Sequence, residues 1–209
     1  MIDISPLVSP RIAVWPGDVP YSREIAYDTD QGDHMTLSAI HGTVHLGAHV
    51  DAPNHYTPAA PGIGARSLAY YFGPCQVMTV AVSRGTRILP QHLSATPQAP
   101  RVLFRTDSFP DPERWNPDFS ALSAALVDHL AEAGVRLVGI DTPSIDLQED
   151  KILEAHQAVA RRDMAILEGI QLGGVKDGLY TLCALPLKLD GADASPVRAV
   201  LLEEGDLQP

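Results

Sequence analysis

Eighteen prolines and sixteen glycines are scattered through the 209 residues. Each proline fixes φ and removes a backbone donor, and each glycine weakens a helix interior, so this punctuation disfavours a helical bundle. Short strands joined by turns are the expectation. Runs rich in Val, Ile, Leu and Thr mark them at 35–40 (MTLSAI, running on toward His45), 75–82, 101–106, 135–141, 164–170, 179–185 and 197–203. Two helices are expected between them. Ser120 is placed as the cap of a helix over 121–134, with Leu122, Leu126 and Leu130 on one face and Gly134 as its stop. The second spans about 150–162, with Ile152, Leu153 and Val159 as its apolar stripe, and a short third covers 67–72 (SLAYYF). There is no internal repeat or dividing linker, although 94–100 (SATPQAP) reads as a surface loop. One mixed α/β domain over residues 1–209 is therefore expected.

The composition, 45% hydrophobic and 20% charged, is that of an ordinary globule. With 15 Lys+Arg against 26 Asp+Glu, the formal charge of -11 argues against nucleic acid or an anionic membrane as partner. The densest basic cluster, Arg161-Arg162, reads as the exposed end of a helix. Cys75 and Cys183 stand far apart with no C-x-x-C partner, so they read as core thiols in a reducing compartment. The start, MIDISPLVSP, lacks the pattern of a secretory signal, and no apolar run is long enough to span a membrane. A cytoplasmic protein is the expectation.

Against that plain background, residues 45–56 (HLGAHVDAPNHY) gather three of the eight histidines and an aspartate. In a helix His45 and His49 would share a face but Asp51 would not. In an extended segment positions 45, 49 and 51 point the same way, and Gly42, Gly47 and Pro53 favour that state. Two imidazoles and a carboxylate then form a donor set suited to a divalent ion such as zinc. A closed structural site needs a fourth ligand, so either a position stays open for catalysis or donors come from elsewhere. The best such donors are His156, within the second expected helix, and Glu168, which interrupts the apolar run MAILEGI on the face of Met164 and Ile166. A carboxylate on a buried strand face is costly unless paired or bound to a cation. His55 lies between Pro53 and Pro58 in a turn, where it either stands over the metals as a proton donor or is a surface histidine. His34, His92 and His129 read as ordinary satisfied polar residues. No G-x-S-x-G is present, and GIGARS (62–67) follows no strand and lacks a P-loop lysine.

The same run resembles the H-x-G-T-H-x-D-x-P-x-H signature of the cyclase-like metal-dependent amidohydrolase family, with six of the seven fixed positions present. Ala48 replaces the usual threonine, as in the family's formamide-hydrolysing branch, and VWPGD (14–18), GIDTPSID (139–146) and the pairing of His156 with Glu168 also fit that branch. The resemblance runs from Ile2 to about Leu202. It implies a β-rich domain of the swivelling β/β/α type, homodimeric association, and two zinc ions. His45, His49 and Asp51 would hold one ion, with Asp51, His156 and Glu168 holding the other so that Asp51 bridges. It further implies that His55 is the general acid/base and that Trp15 lines the substrate's aromatic pocket, which is compatible with Trp15 packing under the Pro16-Gly17 turn. For Asp141 and Asp146 the turn-forming reading of DTPS is preferred to a supporting role at the metals. The implied reaction is hydrolysis of N-formyl-L-kynurenine to L-kynurenine and formate. Two rival readings are a related lactam hydrolase, such as one opening isatin, and a non-catalytic metal-binding module.

Overall fold

In chain order, the computed structural model, which describes residues 1–203 and 205–206, contains strands β1 (Ile2–Asp3), β2 (Ser22–Tyr27), β3 (Leu37–His41), β4 (His49–Asp51), β5 (Phe72–Thr79), β6 (Arg87–Ile88), β7 (Arg101–Arg105) and β8 (Ala121–Leu122). Helix α1 (Ala124–Glu132), β9 (Leu137–Ile140), helix α2 (Glu154–Arg161), β10 (Ala165–Glu168), β11 (Gly178–Cys183), β12 (Ala194–Pro196) and β13 (Val200–Leu202) follow. Among the described residues nine strands form one sheet in the order β1-β13-β11-β5-β7-β9-β10-β4-β12. Its centre, β5-β7-β9-β10, is parallel, and the strands on either side are antiparallel to their neighbours.

Parallel strands need both faces covered, and burial alternates accordingly. Val102 and Phe104 join one apolar cluster while Leu103 joins another; Ile166 is separated in the same way from Ala165 and Leu167. On the first face α1 and α2, the crossovers from β7 to β9 and from β9 to β10, bring Leu126, Val127, Leu130, Ala155, Ala158 and Val159 onto the sheet. Fully burying each such Leu or Val stabilises by roughly 1.5–3 kcal/mol. The opposite face is closed by Ile4, Ile63, Tyr71, Leu172 and Ala199. The mixed sheet with two α-helices is the α/β, β-rich class expected, and no described helix is long and apolar enough to cross a membrane.

Several local expectations are corrected. The first helix is capped by Ser123, whose Oγ accepts from Leu126 N at 3.1 Å, not by Ser120. Ala121 and Leu122 are drawn into β8, paired with Arg87 and Ile88 of β6, so the helix starts three residues later. The second helix begins at Glu154 because Leu153 is in the left-handed region (φ 57°), and Ile152 is 78% exposed instead of lying on the apolar stripe. The short third helix is a single 3-10 turn over Leu68–Tyr70. The strand expected from 35 does not run on to His45. It ends at His41 and pairs with β2 in a separate hairpin, exposed along both strands.

Candidate metal centre

The site is built on the pairing of β4 with β10. Their antiparallel register sets His49 opposite Glu168 and Asp51 opposite Ile166, so His49, Asp51 and Glu168 share one face of the sheet, the face that packs beneath α2. Two glycines permit this approach. Gly169 has φ 66°, and a Cβ there would lie 2.1 Å from the carbonyl oxygen of Gly47. Gly47, itself at φ 58°, turns the chain between His45 and β4. His45 therefore arrives through a left-handed turn and not by strand parity, which corrects the sequence-based reason for its direction. His55 comes from the 3-10 turn Pro53–His55, and His156 from the first turn of α2.

These elements bring all five candidate ligands together. Asp51 Oδ1 lies 3.2 Å from His45 Nδ1 and 3.5 Å from His49 Nε2, while Asp51 Oδ2 lies 3.3 Å from His156 Nε2. Glu168 faces His49 Nε2 at 3.2 Å and His156 Nε2 at 3.7 Å. Asp51 thus turns one oxygen to each side of the cluster. His49, Asp51, His156 and Glu168 are nearly inaccessible to solvent.

The outer ring nitrogens are already engaged. His45 Nε2 donates to Asp193 Oδ2 (2.9 Å), His49 Nδ1 to the Gly47 carbonyl (2.9 Å) and His156 Nδ1 to Asp146 Oδ2 (2.8 Å). Carbonyl and carboxylate oxygens accept only, so the outer nitrogens carry protons, and each ring in its neutral form turns its inner lone pair to the centre. Two buried inner atoms, His49 Nε2 and Asp51 Oδ1, have no hydrogen-bond partner among the described residues. Leaving such atoms unsatisfied is costly, and a cation between them satisfies both. The nitrogen and oxygen donor set therefore fits a divalent metal.

The charge balance points the same way. Burial pulls the His45 pKa down, but Asp51 and Asp193 outweigh it and raise it to about 9. His156, opposed likewise by burial, is raised to about 10 by Asp146 and Asp51. Asp51 is held well below the usual carboxylate range despite its burial, by His156 and His45. With no cation present, protonated imidazoles compensate the carboxylates; a bound metal takes over that positive charge and releases the protons. His55 behaves differently: burial, reinforced by His45 and His156, lowers its pKa against the pull of Asp51.

His55 is the most exposed of these imidazoles, its ring 4.3 Å from that of His45 and its Nδ1 3.6 Å from Asp193 Oδ2. It is also close enough to Asp51 and His156 to form a three-ligand group with them. Beyond the cluster opens a cavity of about 580 Å³, whose wall includes Trp15, Phe109 and Trp115. Trp15 lines the cavity and packs edge-on to Trp115 (5.3 Å) and Phe119 (6.1 Å). Asp146 is more than a turn former: besides His156 Nδ1 it accepts from the backbone N–H of Ala155 and His156 at 3.0 Å. Asp141 instead pins the turn at Thr106 and Asp107. Sequence reasoning missed Asp193, which sits just before β12 in the featureless stretch GADAS. Only the pairing of β12 with β4, with Ala194 opposite Asp51, shows it to be adjacent.

The family model named Cyclase, described as "Putative cyclase", matches residues 2–147. A kynurenine formamidase from Bordetella petrii is 46% identical over 205 residues, covering 97% of this chain and 98% of its own. A solved structure described as a potential metal-dependent hydrolase with cyclase activity superposes with a TM-score of 0.80 at 26% identity, covering 95% of each chain. Isatin hydrolase A from Labrenzia aggregata superposes with a TM-score of 0.78 at 20% identity, covering 96% of this chain and 92% of its own, a likeness of fold alone.

Proposed function

This chain belongs to the Cyclase family, and from that premise we propose that it is a metal-dependent arylformamidase that hydrolyses N-formyl-L-kynurenine to L-kynurenine and formate. The observation that carries the reading is the cluster of three imidazoles, each with its outer nitrogen engaged, around two buried carboxylates beside an aromatic-walled cavity. Near-full-length identity of 46% to a kynurenine formamidase selects the formamide substrate. Isatin is the weaker alternative, because the isatin hydrolase likeness is confined to the fold.

In this reading His45, His49 and Asp51 would hold one zinc ion, and Asp51, His156 and Glu168 would hold a second. Zinc bound there would supply a water made reactive near neutral pH and a Lewis acid for the formyl oxygen. The remaining work falls to the chain. His55, kept neutral by its lowered pKa, accepts the proton of the attacking water and returns it to the departing anilide nitrogen. Trp15 and Trp115 receive the aryl ring, and Asp146 and Asp193 hold the rings of His156 and His45 in orientation. The protein acts in the cytoplasm, consistent with its free thiols Cys75 and Cys183. It acts as a homodimer, which would cover the hairpin residues Ile25, Tyr27, Leu37 and Ile40.

The test is turnover of formylkynurenine and of isatin by the same preparation, before and after chelation and after zinc is restored. Formylkynurenine hydrolysis that disappears with the metal and returns with zinc is expected; preference for isatin, or activity that survives chelation, contradicts the proposal.

A further inference from the structure

Three carboxylates line the cavity, and two of them are committed. Glu168 faces the histidine cluster. Asp150 accepts from Arg87 Nη2 at 2.5 Å and from the backbone N–H groups of Ile152, Leu153 and Glu154. The third, Asp18, ends the turn Trp15–Asp18, closed by Asp18 N donating to Trp15 O at 2.9 Å with Gly17 at φ 94°. Asp18 Oδ1 accepts from Val19 N, and Oδ2 makes no hydrogen bond among the described residues. Among the described residues one lysine, Lys151, also lines the cavity, and no arginine does. Neither Lys151 nor Asp18 belongs to any ion pair among the described residues.

The segment leading into Lys151 is fixed at two points. Gln148 Oε1 accepts from Trp115 Nε1 at 2.8 Å, and Asp150 is held by Arg87. Asp150 shares Arg87 with Asp146 and Glu154 and also accepts from three N–H groups, so its oxygens are taken up and Lys151 makes no ion pair with it among the described residues. A cavity with aromatic walls therefore carries one free positive and one free negative group in a chain of formal charge -11. A substrate carboxylate entering so acidic a protein needs a local cation. An α-ammonium needs a carboxylate without a partner.

We infer that Lys151 and Asp18 clamp the carboxylate and ammonium of a zwitterionic amino-acid arm on the substrate, and so decide which aryl formamides this site accepts; the inference rests on the formamidase reading above. The formamide lies at the histidine cluster, the aryl ring against Trp15 and Trp115, and the charged arm between Lys151 and Asp18. A neutral lactam such as isatin brings neither a carboxylate for Lys151 nor an ammonium for Asp18.

The test compares N-formyl-L-kynurenine with formanilide, which has the reacting group and no charged arm, in the unsubstituted zinc-loaded protein and in Lys151→Met, Lys151→Arg and Asp18→Asn. Loss of a charge-assisted hydrogen bond predicts that Lys151→Met raises the formylkynurenine KM by about tenfold to a hundredfold. Selectivity over formanilide falls by the same factor, and Lys151→Arg recovers most of it. Asp18→Asn lowers the preference for formylkynurenine over its analogue lacking the α-amino group. A formylkynurenine KM within about twofold of the original in Lys151→Met, with turnover intact, overturns the clamp alone. Absence of formylkynurenine turnover in the unsubstituted protein overturns the formamidase reading and the clamp with it.

Discussion

His55 is distinguished from the other clustered histidines by exposure: its side chain is 33% accessible, against 18% for His45 and 3% for His49 and His156. A proton shuttle needs that access, and a structural ligand does not. If His55 moves protons, His55→Ala lowers formylkynurenine kcat by about 10²–10⁴ while metal content by elemental analysis stays unchanged. If it is instead a ligand beside Asp51 and His156, metal is lost together with activity, and the assigned role is wrong. At this scale His45, His49 and Asp51 were legible in the sequence because they crowd within seven positions, and Glu168 because it breaks an apolar strand. Asp193 was not, since its contact with His45 spans 148 residues of chain and its neighbours carry no pattern.

Among the elements, α2 shows how a side chain from another segment sets a ligand's direction. The residue preceding the helix, Leu153, offers no side-chain cap. Asp146 takes that place, accepting from Ala155 N and His156 N while also accepting from His156 Nδ1. Arg87 Nη1 donates to it at 2.7 Å, and its pKa is lowered to about 2, burial being outweighed by His156 and the backbone N–H groups. Asp146→Ala therefore frees the helix start and the imidazole together. It should cost about 0.5–2 kcal/mol of stability through the lost cap and weaken metal affinity about tenfold to a hundredfold, read by urea denaturation and chelator competition. Unchanged metal affinity would show that Asp146 is only a cap. The core strands and both helices were foreseen because their residues are apolar and periodic. The hairpin strand β2 was not: it buries nothing, so no alternation marks it, and the edge strands β1, β6, β8 and β12 are too short to carry a period.

For the molecule as a whole, the buried charge cluster ties stability to pH. His45 and His156 have folded pKa values raised from 6.5 to about 9 and about 10. Their stabilisation of the metal-free protein is fully present below pH 6.5 and is lost as pH rises through 9 to 10. A bound metal reverses the sign, because its ligands bind it deprotonated and its contribution grows with pH. Urea midpoints should therefore fall for the metal-free protein between pH 7 and 10, and the gap to the zinc-loaded protein should widen. A constant gap would contradict this coupling. The family and the mixed α/β class followed from one short motif and the density of turns, whereas the sheet order depends on pairings between distant segments that no local pattern encodes. The most direct test of the whole account is an anomalous difference map from zinc-loaded crystals, recorded at the zinc edge. Peaks enclosed by His45, His49, Asp51, His156 and Glu168 are expected; a map with no peak among these five side chains contradicts it.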